Sequence, residues 1–268
     1  MKLKSLAWML TGVGAGMLVY GALFESNRLV ATRKTLRLKD WPKRFSGYRI
    51  ALLADFHLRD RYSLDLALRA VQMAVDEKPD MIVLAGDLVG YWKEETAELL
   101  DEALFPLRGS GIPVVAVPGN HEYWGGRPEY LEPIFEAYNI VLLRNSSVQM
   151  GGIRWVGVDS INAGTADPIA ALQGVGPEPL IAIWHEPDAV EYLPRGCDLM
   201  LSGHSHGGQF VFPGGIVPMT SKNGRRYLSG FYPDAPTPLF VTRGVGTTGP
   251  PSRFLCPPEI AVLTLQSV

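Results

Sequence analysis

The sequence RIALLADFH occupies residues 49–57. After Arg49, five apolar residues form a run of the length typical of a buried strand. A carboxylate and an imidazole, Asp55 and His57, follow this run at once. Ligand sites in open α/β sheets lie beyond the carboxyl ends of the strands. The stretch therefore predicts an α/β fold and the place of a functional site within it.

Four further apolar runs end in the same way. Each is predicted to be a buried strand, and each is followed by carboxylate, carboxamide or imidazole groups. All five histidines of the chain lie at these strand ends. Strand ends that lie side by side would bring these groups into one cleft. The runs and their polar residues are Met81–Ala85 with Gly86 and Asp87, Val114–Val117 with Asn120 and His121, Leu180–Trp184 with His185, and Leu199–Leu201 with His204 and His206.

Helices are predicted between the early strands. Leu64, Leu68 and Val71 share one face of the first helix, and Ser63 is its candidate N-cap. A βαβα order followed by mainly strands predicts a layered α/β sandwich, in one domain over residues 48–268. The predicted helices are Ser63–Val75, Glu94–Leu104 and Pro133–Tyr138, and the last predicted strand is Ile260–Leu265.

The first residues of the chain differ from the rest. Leu6 to Phe24 is free of charge, and a helix over this run would span roughly 28 Å, close to the thickness of the hydrocarbon core of a bilayer. We therefore predict a membrane anchor over residues 1–24 and a basic connector over residues 25–47. Lysines and arginines are more numerous after the run than before it, which favours a catalytic domain on the cytoplasmic face. A cleaved signal peptide and an outward-facing domain are the alternatives.

Composition excludes several classes of protein. The chain has 268 residues, of which 47% are hydrophobic, so it can bury a sizeable core. Its net charge of -2 argues against a nucleic-acid partner. The two cysteines, Cys197 and Cys256, fit no metal-ligand spacing and are expected to be packed free thiols.

The side chains at the strand ends suit a metal site. Mixed oxygen and nitrogen ligands are typical of manganese, iron or zinc and are poorly suited to calcium. Two ions about 3.5–4 Å apart need a bridging ligand, and Asp87 is the candidate because it lies between the other groups in strand order.

The polar blocks, as they stand, resemble the calcineurin-like metallophosphoesterase superfamily. Its pattern is Asp-x-His, Gly-Asp, Gly-Asn-His-Glu/Asp, a lone His and Gly-His-x-His, and all five blocks occur in order from Asp55 to His206. Residues 203–209, 243–246 and 254–260 are also similar to its bacterial membrane-associated branch of YkuE- and YaeI-type phosphodiesterases. The resemblance covers residue 48 to the end and implies a four-layer αββα sandwich.

The resemblance also implies roles for individual residues. It places His121 beside the reacting phosphate as a proton or hydrogen-bond donor. It assigns one metal ion to Asp55, His57, Asp87 and His206, and a second to Asp87, Asn120, His185 and His204. On this pattern we expect hydrolysis of a phosphodiester or a pyrophosphate by a hydroxide shared between the two ions.

The substrate is open at this point. Two aromatic pairs, Tyr91–Trp92 and Tyr123–Trp124, follow metal-binding turns and are candidates for an apolar wall. Together with a membrane anchor they favour a lipid-linked substrate, such as the UDP-2,3-diacylglucosamine that some relatives cleave. A tethered phosphodiesterase for soluble nucleotides and a non-enzymatic, metal-dependent membrane scaffold are the alternatives.

Some polar residues near the blocks are weaker candidates. Glu122 and Asp188 are candidates for orienting the neighbouring imidazoles. Arg225, Arg226 and Arg243 are candidates for contacting phosphate.

Overall fold

A computed structural model describes residues 3–194 and 196–268. Two six-stranded mixed sheets form its centre. The strands are β1 (Val30–Leu38), β2 (Arg49–Leu53), β3 (Met81–Ala85), β4 (Val114–Val117), β5 (Ile140–Leu142), β6 (Ser146–Met150), β7 (Ile153–Gly157), β8 (Leu180–Ile183), β9 (Leu199–Ser202), β10 (Gly230–Tyr232), β11 (Leu239–Val241) and β12 (Glu259–Ser267). The α-helices are α1 (Leu3–Leu23), α2 (Arg61–Asp76), α3 (Glu94–Leu104), α4 (Glu132–Glu136) and α5 (Pro168–Ala171).

The two sheets carry their parallel strands at the centre. The first has the order β1-β12-β2-β3-β4-β5, in which β2 to β5 are parallel and β12 runs antiparallel to β2. The second has the order β10-β11-β9-β8-β7-β6, in which β7, β8, β9 and β11 are parallel. Because neighbouring parallel strands end on the same side, the loops after β2, β3 and β4 share one edge, and so do those after β8 and β9.

Alternation along β2 shows why the sheets form layers. Side chains on successive residues of a strand point to opposite faces. Ile50 and Leu52 pack between the two sheets, whereas Ala51 and Leu53 pack with the residues of α2 and α3. A third apolar cluster covers the outer face of the second sheet and includes residues of α5 and of the 3-10 helix Pro187–Tyr192. The layers are therefore helices, sheet, sheet and short helices, which agrees with the predicted αββα order.

Most predicted elements of the domain are present. β3, β4 and α3 have the predicted bounds, while β2 and β8 each end one residue earlier. Ser63 is not the N-cap of α2, because Asp60 caps the helix and Ser63 completes a capping box with it. Both cysteines are buried and free, as predicted.

The segment before residue 48 differs from the prediction. Residues 25–47 are expected to be a connector, but Val30–Leu38 form β1 and pair in parallel with β12 along their whole length. The basic side chains of this segment concealed the strand, because β1 is an edge strand with several exposed positions. Residues 30–38 are therefore part of the first sheet.

The predicted anchor over residues 1–24 corresponds largely to α1. Met1 and Lys2 lie outside the described residues. In the part of the chain that the structure describes, no helix is long and apolar enough to cross a membrane. The predicted transmembrane helix is therefore not supported.

Candidate metal centre

The predicted strand ends meet at one place, where the two sheets adjoin. Every predicted ligand is less than a tenth exposed, although all of them are ionisable or strongly polar. Buried groups of this kind need partners or a cation. The residues brought together are Asp55 and His57 after β2, Asp87 after β3, Asn120 and His121 after β4, His185 after β8, and His204 and His206 after β9.

One half of the centre is formed by Asp55, His57 and His206. The two imidazoles face each other through their Nε2 atoms, which are 3.0 Å apart. The carboxylate Oδ1 of Asp55 lies 3.4 Å from His206 Nε2 and 3.8 Å from His57 Nε2. Lone pairs that converge at these distances form a pocket for a cation.

The other half is formed by Asp87, His185 and His204. Oδ2 of Asp87 lies 3.0 Å from His185 Nε2 and 3.7 Å from His57 Nε2. Asp87 is therefore the carboxylate that reaches both halves, as its place in strand order predicts.

Unpaired polar atoms indicate that the centre suits metal ions. Asn120 Oδ1 is buried and makes no hydrogen bond to any described residue, and the close polar neighbour of the buried His185 Nε2 is the Asp87 carboxylate, at 3.0 Å. Such atoms are costly to bury without a partner. A divalent ion beside Asp87 would accept electron pairs from both, so the residues present fit a metal site.

The backbone at the centre is held in a rare conformation. Residues other than glycine seldom adopt positive φ. Gly86 also has φ +88°, and a Cβ there would lie 2.5 Å from Gly119 N and 2.7 Å from His185 Nδ1. The turns therefore direct these side chains into the centre. Their backbone strain costs conformational free energy that the rest of the fold must offset. The predicted ligands with positive φ are Asp55, His57, Asp87, His204 and His206.

Hydrogen bonds select the ring nitrogen that faces the centre. His185 Nδ1 donates to Ala85 O at 2.6 Å, and His204 Nε2 donates to Lys222 O at 2.7 Å. His185 therefore offers Nε2 and His204 offers Nδ1 as the free lone pair.

Charges at the centre also suit a cation. Burial raises the pKa of Asp55 to about 7. Burial opposes ionisation of Asp87 too, but the charge and hydrogen bond of His185, together with the charges of His57 and His121, hold the pKa of Asp87 well below its usual value. Burial would lower the pKa of His185, yet the charge of Asp87 raises it well above its usual value. In the metal-free protein a proton on His185 therefore balances Asp87, and a metal ion would take over that role.

The remaining ligand imidazoles favour the neutral form. Burial is the main cause, and neighbouring positive charge adds to it. The residues with a lowered pKa are His57, His204 and His206. Neutral imidazole is the form that binds metal.

The His121 ring lies at the side of the centre next to His57 and Asp87, and its backbone N–H donates to Asp87 Oδ1 at 2.8 Å. Its Nδ1 donates to Gly90 O at 2.8 Å, so Nε2 is free, 4.0 Å from Asp87 Oδ2. The ring lies against Trp124, with centroids 3.6 Å apart. His121 is thus oriented by its neighbours and presents one nitrogen toward the centre.

Two clefts open from this point. One has a volume of about 540 Å³ and extends from Asp87 and His204 past Phe210 and Met219. The other has a volume of about 370 Å³ and extends past Arg59 and Tyr91. The side chains of His121 and Trp124 line both. The centre is therefore accessible from two sides.

The calcineurin-like phosphoesterase family matches residues 48–208 of the chain. The chain is also 30% identical over 258 residues to the metallophosphoesterase YkuE of Bacillus subtilis (strain 168), a match that covers 92% of this chain and 89% of that protein. The chain belongs to the calcineurin-like phosphoesterases. It is a metal-dependent phosphoesterase of this family.

Further similarities agree with this assignment. Phosphodiesterase YaeI of Escherichia coli (strain K12) is 29% identical over 236 residues, covering 85% of this phosphoesterase and 86% of that protein. The crystal structure of the protein TT1561 of Thermus thermophilus matches with a TM-score of 0.50 and 14% identity, covering 75% of this chain and 91% of that one. The latter likeness supports the fold alone.

Two acidic residues have other contacts than predicted. Among the described residues, the Glu122 carboxylate makes no hydrogen bond to an imidazole and accepts hydrogen bonds from backbone amides of the turns after β3 and β4. Asp188 accepts from the backbone amides of Arg225, Arg226 and Tyr227. Both carboxylates therefore hold loops in place, and the prediction that they orient imidazoles is wrong.

Two of the three candidate phosphate-binding arginines, Arg226 and Arg243, form ion pairs with other residues. Arg243 forms an ion pair with Glu259 at 2.6 Å, and Arg226 forms one with Glu191 at 2.8 Å. Lys222 lines the larger cleft instead, and Arg59 lines the smaller one. Nothing in the local sequence distinguished Lys222, because it lies in a loop far along the chain from the ligands that follow β2 to β4.

Of the predicted aromatic wall, Tyr91 and Trp124 line the clefts. Trp92 is buried and donates to Glu122 O at 2.7 Å, and the Tyr123 hydroxyl donates to Asp159. Trp92 and Tyr123 therefore stabilise the loops through these hydrogen bonds.

Proposed function

We propose that this phosphoesterase hydrolyses phosphodiesters with two divalent metal ions bound at the centre. One observation carries the proposal: two groups of buried ligands, Asp55–His57–His206 and Asp87–His185–His204, lie next to each other at the base of two clefts, with Asp87 Oδ2 3.7 Å from His57 Nε2. The first ion would be held by Asp55, His57, Asp87 and His206, and the second by Asp87, Asn120, His185 and His204. Manganese, iron and zinc all suit this mixture of ligands.

The presence of two clefts favours a diester. Phosphorus in a diester carries two substituents, and one cleft on either side of His121 and Trp124 accommodates each of them. A pyrophosphate with a large group on each side would fit in the same way. The relative YaeI, named a phosphodiesterase, supports this choice of bond.

When bound, the two ions would lower the pKa of a coordinated water and neutralise charge on the phosphoryl oxygens. His121, with a proton on each ring nitrogen, would donate the Nε2 proton to the leaving oxygen and keep the Nδ1 proton in its bond to Gly90 O, which orients the ring for this transfer. Trp124 covers one face of the imidazole and restricts its contact with water. The chain itself thus supplies orientation and a proton.

The test is hydrolysis of bis-p-nitrophenyl phosphate by the full chain after chelation and after return of manganese. Activity is expected to return with manganese and to be lost in Asp87→Asn, which weakens the shared ligand. The monoester p-nitrophenyl phosphate should react more slowly than the diester. A folded, manganese-loaded protein that hydrolyses neither ester would contradict the proposal and would favour the scaffold alternative.

An apolar wall favours an amphiphilic, lipid-linked substrate over a soluble nucleotide. Met219 lines the larger cleft and is 68% exposed, and Phe210 lies beside it. Further aromatic residues lie close by, because the backbone of Phe210 bridges that of Phe254, whose ring lies 6.2 Å from that of Tyr20 near the end of α1. Apolar side chains that are exposed beside a reactive centre can pack against a hydrocarbon chain attached to the phosphate.

A chain-length series separates the two substrates. For p-nitrophenyl methyl, butyl and octyl phosphates, kcat/KM should rise by up to about fourfold for each methylene that packs on the wall. Met219→Ser should flatten this rise, whereas Ile169→Ser, at an equally exposed position outside the cleft, should leave it unchanged. Equal kcat/KM for the methyl and octyl esters would exclude the amphiphile and favour the nucleotide alternative.

A further inference from the structure

We infer that Asn162 is a positioning residue that holds the Lys222 carbonyl group against His204 and so controls the affinity of the second metal ion. The inference rests on the proposed two-metal function. It concerns a loop between β7 and α5 that carries none of the metallophosphoesterase motifs.

The orientation of His204 depends on one carbonyl group. Its Nε2 donates to Lys222 O at 2.7 Å, which places the proton on Nε2 and leaves Nδ1 with a free lone pair. If the carbonyl moved, the ring could rotate or change tautomer, and the lone pair would no longer face Asp87 and His185. Partners of this kind are commonly required for full metal affinity.

Asn162 holds that carbonyl in place. Its side-chain Nδ2 donates to Lys222 O at 3.1 Å and lies 3.3 Å from His204 Nε2. Its Oδ1 accepts from Asn223 Nδ2 at 2.8 Å. One carboxamide therefore binds two successive residues of the loop that orients His204.

Asn162 is itself anchored to the strand end that supplies His185. Its backbone N–H contacts Glu186 Oε1 at 3.3 Å and Ser160 Oγ at 3.2 Å. Glu186 is fully buried and directly follows His185. The network therefore joins the two imidazoles of the second ion.

The network stays on one side of the centre. His57 and His206 lie next to each other and to Asp55, and Arg253 contacts His206. His204 reaches Asp55 through its backbone N–H, which lies 3.0 and 3.1 Å from the two carboxylate oxygens, whereas Asn162 and Lys222 contact the ring of His204. A change at Asn162 should therefore weaken the second ion and spare the first.

The decisive variant is Asn162→Asp, which keeps the shape and the acceptor but removes the donor to Lys222 O. Asn162→Ala removes both and guards against the new carboxylate acting as a ligand. Asn145→Ala is the matched control, because Asn145 stabilises the same loop through Thr165 O and the amides of Asp159 and Asp167. Within the described part of the chain, the Asn145 side chain makes no hydrogen bond to a ligand of the centre.

Manganese binding is measured by calorimetric titration of the chelated full chain, with metal content after dialysis as a second readout. In both Asn162 variants one of the two binding steps should lose about 10–100-fold in affinity. The other step should be unchanged, and Asn145→Ala should bind like wild type. Thermal unfolding of the metal-free variants checks that each is folded.

Two outcomes would overturn the inference. The first is that Asn162→Asp binds both ions with wild-type affinity. The second is that Asn145→Ala loses as much metal affinity as the Asn162 variants, which would show that Asn162 only stabilises the loop. A wild-type protein that binds a single ion would instead contradict the two-metal proposal. The two failures are therefore distinguishable.

Discussion

Replacing Glu122 by glutamine should destabilise the protein strongly. The carboxylate is fully buried and accepts four backbone N–H groups, two on each oxygen. Oε1 accepts from Leu88 and Val89 at 2.7 and 3.2 Å, and Oε2 accepts from Asp87 and Gly119 at 2.9 and 2.7 Å. It thereby fixes both the turn that carries Asp87 and the turn that leads to Asn120.

The size of the effect follows from the donors. Whichever way the glutamine amide is turned, its NH₂ group faces two N–H groups, so two hydrogen bonds are lost. Hydrogen bonds to a charged group contribute about 1.5–3 kcal/mol each, so the loss approaches roughly 3–6 kcal/mol. Burial and the charge of Asp87 together raise the pKa of Glu122 to about 7. Replacing the buried carboxylate by a neutral amide removes these two unfavourable effects and offsets part of the loss. We expect a net loss of roughly 3 kcal/mol, a large share of the roughly 5–15 kcal/mol typical of a domain.

Urea unfolding of the metal-free protein measures this loss directly. Glu186→Gln is the matched control, since Glu186 is equally buried but its closest partner is a hydroxyl, Ser160 Oγ, which can rotate to accept from the new amide. The control should lose clearly less stability. If Glu122→Gln unfolded at the wild-type urea concentration, or no earlier than the control, the four-amide argument would be refuted.

Three further outcomes are expected. His121→Ala should bind two manganese ions with unchanged affinity, yet lose about 10²–10⁴-fold in kcat on bis-p-nitrophenyl phosphate, the range of general acid catalysis; loss of a metal ion would show a ligand role instead. Manganese affinity should fall as the pH falls through about 7, because Asp55, whose burial raises its pKa to about 7, takes up a proton that the ion must displace. Calorimetry at several pH values should show that manganese affinity falls about tenfold per pH unit for each proton displaced. A manganese affinity that stays constant down to about pH 5 would contradict the role of Asp55 as a ligand. Gly86→Ala should abolish metal binding, since its Cβ would lie 2.5 Å from Gly119 N at a φ of +88°, and a variant that retains both ions would show that the turn can adapt.

Much of the centre could be predicted from the sequence. Short apolar runs bounded by turn residues predict buried strands from their own residues alone, without knowledge of the strands they pair with. This holds for β2, β3, β4, β8 and β9. Because each run is followed by metal-binding side chains, the same pattern predicted which residues converge. The edge strand β1 was missed, because an edge strand lacks the continuous burial that marks the central strands.

Only the tertiary structure decided how these side chains are aimed and held. The direction of a side chain after a strand depends on the φ of the turn residue, and the positive φ of Asp55, Asp87 and His204 has no local sequence signature. The groups that support the ligands also lie far away along the chain: Glu122 binds the turn of Asp87, and Asn162 reaches Lys222 and His204. Such contacts exist only after the strands have assembled into sheets and the loops at their ends have come together. The sequence by itself therefore determined which residues form the centre. The tertiary structure determined which ring nitrogen each histidine presents, which residues adopt a strained backbone and which carboxamide supports His204.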